Sequence, residues 1–167
     1  PWMCGHNTPA APTPFGMVRL GPDTASILTN STGNNRSGYF YGDNKIIGFS
    51  HTRLVGADAL DGGVFRIFPT NATHVQDDAK KERAVPFSHN DESGAPGYYA
   101  VELPARRVLA ELTATPRVGV HRYTFKKSQP DVPHLLMDIA SALGDKRTED
   151  ALAIIDPVAH EVTGHVK

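Results

Sequence analysis

Arg107-Val-Leu-Ala-Glu-Leu-Thr-Ala-Thr115 alternates with a period of two more clearly than any other part of the chain. Val108, Ala110, Leu112 and Ala114 share one face, and Leu109, Glu111, Thr113 and Thr115 share the other, as in a strand buried on one side. Pro116 marks a turn, and Arg117 to Phe125 runs back as the partner strand. Parity slips along that partner, because Val118 and Val120 face one way while Tyr123 and Phe125 face the other. A bulge near His121 is therefore expected.

On either side of this hairpin the chain reads as short strands between turn residues, which argues for an all-β domain. Pro14 to Leu20 reads as a first strand and Asp23 to Arg36 as a polar loop. Gly38 to Tyr41 and Lys45 to His51 read as a hairpin turned at Gly42-Asp43-Asn44. Val64 to Phe68 is a strand ended by Pro69, and Gly97 to Leu103, Leu135 to Ile139 and Ala151 to Ile155 are further strands. Thr70 to Ala84 carries a mixed charge run and reads as a solvated loop. The chain closes on His165-Val-Lys167 in strand-like sequence, so the natural protein is expected to continue. It begins at Pro1 without a Met, which reads as processing or a fragment.

The 167 residues suffice for one domain with a core. Seventeen basic and 18 acidic side chains, well mixed, give a net charge of -1 and no electrostatic case for nucleic acid or an anionic membrane. No apolar run approaches the roughly 18 residues of a membrane span, and no secretory signal segment stands out. The single Cys4 excludes an internal disulfide. Sequons at Asn30, Asn35 and Asn71 suggest an exported protein, secreted or periplasmic.

Chemistry concentrates in Gly48-Phe-Ser-His-Thr-Arg-Leu-Val-Gly56, where a buried strand ends in hydroxyl, imidazole and guanidinium groups. Such a cluster suits a sugar or carboxylate site, and equally a hydrogen-bonded strand-to-loop corner. Ser50 lacks the context of a nucleophile elbow, since Thr52 stands where the second glycine should be and no helix follows. His160 and His165 are five apart, so they do not form the helical zinc pair that needs a spacing of four. Phe49-Ser-His51 has an echo in Phe87-Ser-His89, each with an imidazole where polar character begins. The two read as structural histidines or as the lining of a polyol cleft. Asp58, Asp61, Asp91 and Glu92 lie in the same loops, with no spacing that sets one as acid and another as base.

Six blocks occur in order: Gly5-His6 with Pro14-Phe-Gly-Met17, Ser37-Gly-Tyr-Phe-Tyr41, Gly48-Phe-Ser-His-Thr52, Phe87-Ser-His89 with Pro96-Gly-Tyr-Tyr99, Glu111-Leu-Thr-Ala-Thr115, and His121-Arg-Tyr-Thr-Phe125. Together they resemble the N-terminal domain of glycoside hydrolase family 92, the calcium-dependent exo-acting α-mannosidases. The resemblance implies that residues 1–167 form an antiparallel β-sandwich, incomplete here, packed on a larger C-terminal helical barrel. It implies an inverting hydrolysis of terminal α-linked mannose from glycans. The catalytic acid and base and the calcium ligands are then expected outside this chain, which would be inactive alone. His6, His51, Arg53 and Asp61 are the expected substrate-binding residues, on the loop around His6 and the loop from Ser50 to Asp61. A stand-alone carbohydrate-binding sandwich without catalysis is the alternative, and a purely structural module a third reading.

Two departures from the family pattern concern linkage. Members acting on α-1,2-linked mannose commonly carry an aromatic residue before the Ser-Gly-Tyr block, where this chain has Ser31-Thr-Gly-Asn-Asn-Arg36. The family's frequent His-Thr-His is His51-Thr-Arg53 here, with a fixed cation able to hydrogen-bond a more polar leaving group. Both weigh against a 1,2 linkage and leave mannose as the expected sugar.

Overall fold

The computed structural model describes residues 7–28, 37–54, 62–71, 84–126, 132–143 and 148–167. In chain order its strands are β1 (Ala11–Pro12), β2 (Arg19–Thr24), β3 (Lys45–Ser50), β4 (Arg66–Thr70), β5 (Val85–Pro86) and β6 (Glu92–Ala95). There follow β7 (Tyr98–Leu103), β8 (Val108–Ala114), β9 (Gly119–Phe125), β10 (His134–Asp138), β11 (Ala151–Asp156) and β12 (Glu161–Val166). Three short 3-10 turns, at Ala25–Leu28, His89–Asp91 and Pro104–Arg106, are the helical elements among the described residues.

One sheet runs β1-β2-β3-β4-β10, with β5 also on β3, and a four-stranded sheet runs β6-β7-β8-β9. The described pairs in both sheets are antiparallel. The sheets share one core, as the all-β reading and the sandwich expectation require. Ala11, Leu20, Ile46, Phe49 and Phe68 from the first sheet cluster with Tyr99, Val101, Leu103, Ala110 and Leu112 from the second. Each large side chain fully withdrawn from water in this way contributes about 1.5–3 kcal/mol. β11 and β12 form a separate hairpin.

The alternation that identified β8 is what the structure shows: Val108, Ala110, Leu112 and Ala114 are buried. Its partner β9 corrects the sequence reading. All seven residues of β9 pair with β8 in unbroken register, with no bulge at His121. The apparent slip came from reading Val118 and Val120 as core residues. They lie exposed, while Gly119, His121, Tyr123 and Phe125 turn inward. A bulge does occur in β3, where Asp23 pairs with Gly48 and Thr24 with Ile46, skipping Ile47. It buries both Ile46 and Ile47.

Three other boundaries move. The strand expected over Pro14 to Leu20 is instead β1, a turn and then β2, which extends through Asp23 and Thr24. Those two polar residues are fully buried because their side chains find partners there. Gly38 to Tyr41 is not a strand. Gly38 takes a left-handed φ of +87° and its carbonyl accepts from the Thr24 amide at 2.9 Å, while Phe40 N donates to Thr24 Oγ1. Pro69 does not end β4 but lies within it, opposite Leu135.

Candidate functional site

The strand end at Ser50 is built around Asp23. Opposite it in register, Gly48 has φ +146° and no side chain, so the aliphatic stem of Arg66 crosses β3 there. A Cβ on Gly48 would come 2.6 Å from Arg66 Cγ. Arg66 Nε donates to Asp23 Oδ2 at 2.7 Å, and Arg53 Nη2 donates to Asp23 Oδ1 at 2.8 Å. Ser50 Oγ donates to Asp23 Oδ1 (2.9 Å) and accepts from Arg53 Nη2 (2.8 Å). Arg53 also donates to the carbonyls of Gly21, Pro22 and Ser37 at 2.6, 2.8 and 3.1 Å. One guanidinium thus ties β2, the end of β3 and the Ser37 turn together, and Arg53 is 3% exposed. Burial pulls its pKa down and the Asp23 carboxylate opposes that shift. Gly38 is required by this packing too, since a Cβ there would lie 2.8 Å from Asp23 Oδ1.

Next along the chain, His51 crosses to the other sheet. Its Nδ1 lies 2.9 Å from the carbonyl of Phe65, and its Nε2 lies 2.9 Å from His121 Nε2 in β9. His121 Nδ1 lies 2.7 Å from the Tyr123 hydroxyl. Gly119 makes room for the ring, since a Cβ there would approach His51 Cδ2 to 2.8 Å. Burial lowers the pKa of His51, and burial with its histidine neighbour lowers that of His121 to about 3. Burial raises the Tyr123 phenol, which stays a donor. His51 and Phe65 also line a cavity of about 490 Å³ with Ile67, Met137, Ala153 and Val162, between β4, β10 and the β11–β12 hairpin.

The echo at His89 forms a second polar centre. Glu92 accepts from Tyr39 Oη (2.9 Å), Tyr99 Oη (2.8 Å) and His89 Nδ1 (2.7 Å). His89 Nε2 lies 2.8 Å from the Tyr41 carbonyl, so both ring nitrogens face acceptors. The Tyr41 ring stacks on the imidazole with centroids 4.1 Å apart, and Phe87 meets it edge-on. Burial beside Glu92 raises both the Tyr39 and Tyr99 phenols, keeping them protonated donors.

Of the four residues expected to meet substrate, His6 and Asp61 lie outside the described residues. His51 and Arg53 are brought to one strand end, with their polar atoms largely engaged inside the chain. Asp23, Arg66, His121 and Tyr123 complete that strand end and were not singled out from the sequence as members of it. The parity of His121 with Tyr123 and Phe125 was the signal that could have found the last two. Among the described residues no three His, Cys, Asp or Glu side chains converge as a metal site.

A family model described as the glycosyl hydrolase family 92 N-terminal domain matches residues 3–167. An uncharacterized secreted glycosidase of Arthroderma benhamiae is 26% identical over 163 residues, covering 90% of this chain and 20% of that protein. A family 92 α-mannosidase from Bacteroides thetaiotaomicron, solved with mannoimidazole, superposes with a TM-score of 0.75 at 31% identity, over 91% of this chain and 20% of that one. A family 92 inverting mannosidase from the same organism superposes with a TM-score of 0.73 at 27% identity, over 96% of this chain and 19% of that one. The chain thus spans about a fifth of the length of these relatives.

Proposed function

The chain belongs to the N-terminal domain family of glycosyl hydrolase family 92, and we propose that it is the sandwich portion of an exo-acting, inverting α-mannosidase. The observation that carries this reading is the family match across residues 3–167 on a two-sheet fold shared with two mannosidases. The proposed substrate is an α-mannoside glycan, and the proposed partner is a C-terminal helical barrel of the same polypeptide. An acid and a base on that barrel protonate the leaving oxygen and activate water.

Within this arrangement His6 and the segment from Ser50 to Asp61 face the cleft. His51 and Arg53 act there by holding the strand end in place, because their hydrogen bonds point into the chain. Direct sugar contacts fall to His6, Asp61 and the backbone of the strand end. Calcium, a hard cation suited to sugar hydroxyls, is proposed to bind through ligands elsewhere in the polypeptide. Asp23, the most buried carboxylate among the described residues, is already engaged by two guanidinium groups. We place the protein outside the cytoplasm, in line with the secreted relative.

The test is hydrolysis of an aryl α-mannoside by the full-length protein, followed by NMR of the first-formed anomer. Release of β-mannose is the expected result. Binding of α-mannosides without turnover would replace the enzyme reading with a carbohydrate-binding module, and neither activity nor binding would leave a structural one.

A further inference from the structure

With both rings kept neutral by burial, the hydrogen bonds around His51 admit one direction only. The Phe65 carbonyl can only accept, so His51 Nδ1, 2.9 Å away, carries its proton. In a neutral ring the other nitrogen, Nε2, is then bare and accepts. His121 Nε2, 2.9 Å from it, must supply the proton between them. His121 Nδ1 is bare in turn and accepts from the Tyr123 hydroxyl at 2.7 Å. One backbone carbonyl therefore fixes the donor and acceptor of every member of the chain.

That carbonyl is aimed by an unusual residue. Phe65 sits at φ +54°, a left-handed conformation that is unfavourable for a residue with a Cβ. The relay also joins the two halves of the sandwich, since His51 follows β3 in one sheet and His121 lies in β9 of the other. Arg53 and Asp23 act on His51 from its own side with opposite signs. On the β9 side the facing groups are His121 and Tyr123.

We propose that His121 and Tyr123 are positioning residues for the substrate-side strand end: with the Phe65 carbonyl they lock His51 as its Nδ1–H tautomer and clamp the end of β3 across the sandwich to β9. The proposal rests on the reading that Ser50 to Asp61 faces a mannoside cleft. Its consequence is that His51 offers no ring nitrogen to a sugar hydroxyl while the relay is intact. Breaking the relay frees the ring and lets the strand end shift.

Neutron diffraction of the deuterium-exchanged full-length protein near neutral pH reads the relay itself. The expected map shows deuterium on His51 Nδ1 and His121 Nε2, with His51 Nε2 and His121 Nδ1 bare. Reversed tautomers, or deuterium on both nitrogens of either ring, would overturn the assignment. The positioning role is read from aryl α-mannoside kinetics of three variants of the same protein. His121→Phe keeps ring volume without a donor and should lose at least tenfold in kcat/KM. His121→Gln retains an amide donor toward His51 and should recover most of that loss. Tyr123→Phe removes only the hydroxyl, leaves His121 Nδ1 free to take a proton, and should move the acid limb of the pH profile upward. Equal losses in the Phe and Gln variants, with an unmoved acid limb in Tyr123→Phe, would reduce the relay to packing. A wild-type protein that turns over no α-mannoside sinks the cleft reading, and the positioning role with it, whatever the neutron map shows.

Discussion

The tripeptide Phe-Ser-His occurs twice, and the structure gives its two histidines opposite surroundings. His51 sits between the sheets, bonded to a carbonyl and to a second imidazole, with burial lowering its pKa. His89 sits at the start of a 3-10 turn, side chain 29% exposed, bonded to the Glu92 carboxylate and stacked on Tyr41. Ser50 and Ser88 diverge in the same way. Ser50 Oγ joins the buried Asp23–Arg53 pair, whereas Ser88 Oγ caps the turn by accepting from Asn90 N at 3.1 Å. Identical local sequence thus does not set the role of a histidine. The groups brought to it from distant strands do.

The two centres should differ most in what their carboxylates support. Asp23→Asn leaves two buried guanidinium groups without their counter-charge, which should cost about 3–5 kcal/mol of stability and lower the denaturation midpoint accordingly. Acid sharpens the contrast next. Both rings of the His51–His121 pair have depressed pKa values, so the unfolded chain binds more protons than the folded one. Their contribution is complete above about 6.5, the ordinary histidine value, and is lost as pH falls toward about 3. Melting curves across that window should show a loss of up to about 5 kcal/mol, and a flat profile would contradict the neutral pair.

Smaller effects belong to the second centre. Glu92→Gln keeps the shape but weakens the bonds from Tyr39, Tyr99 and His89, for about 1–3 kcal/mol by the same denaturation measurement. Tyr41→Ala removes a ring that is 70% exposed and stacked on His89, and should cost only about 0.5–1 kcal/mol. A larger loss at Tyr41 than at Asp23 would invert the ranking of the two centres.

The parts of the fold readable from sequence are those set by near neighbours. β7 and β8 follow from alternation and turn residues, because each side chain's face is fixed by its parity along the strand. Parity misled in β9 because hydropathy favoured Val118 and Val120 over His121 and Tyr123 for the core. The imidazole and phenol are accommodated inside only because they bond to each other and to His51. The strand end was located by its composition, Ser50 to Arg53, but not its organisation. Asp23 reads as a loop residue until Arg53 and Arg66, 30 and 43 positions away, are placed against it. His51 and His121 are 70 positions apart, beyond any local pattern. Gly48 had a legible signal, a glycine inside an apolar strand, which marks a bulge or a close approach and here is both.

A crystal structure of the full-length protein with mannoimidazole bound would show directly which of the two histidine centres faces the sugar. The ligand is expected beside the strand end at residues 50–54, with Arg53 still on Asp23 and His51 still on Phe65 and His121. A ligand lodged against Tyr41 and His89 instead, or His51 turned to bond the sugar, would contradict that expectation.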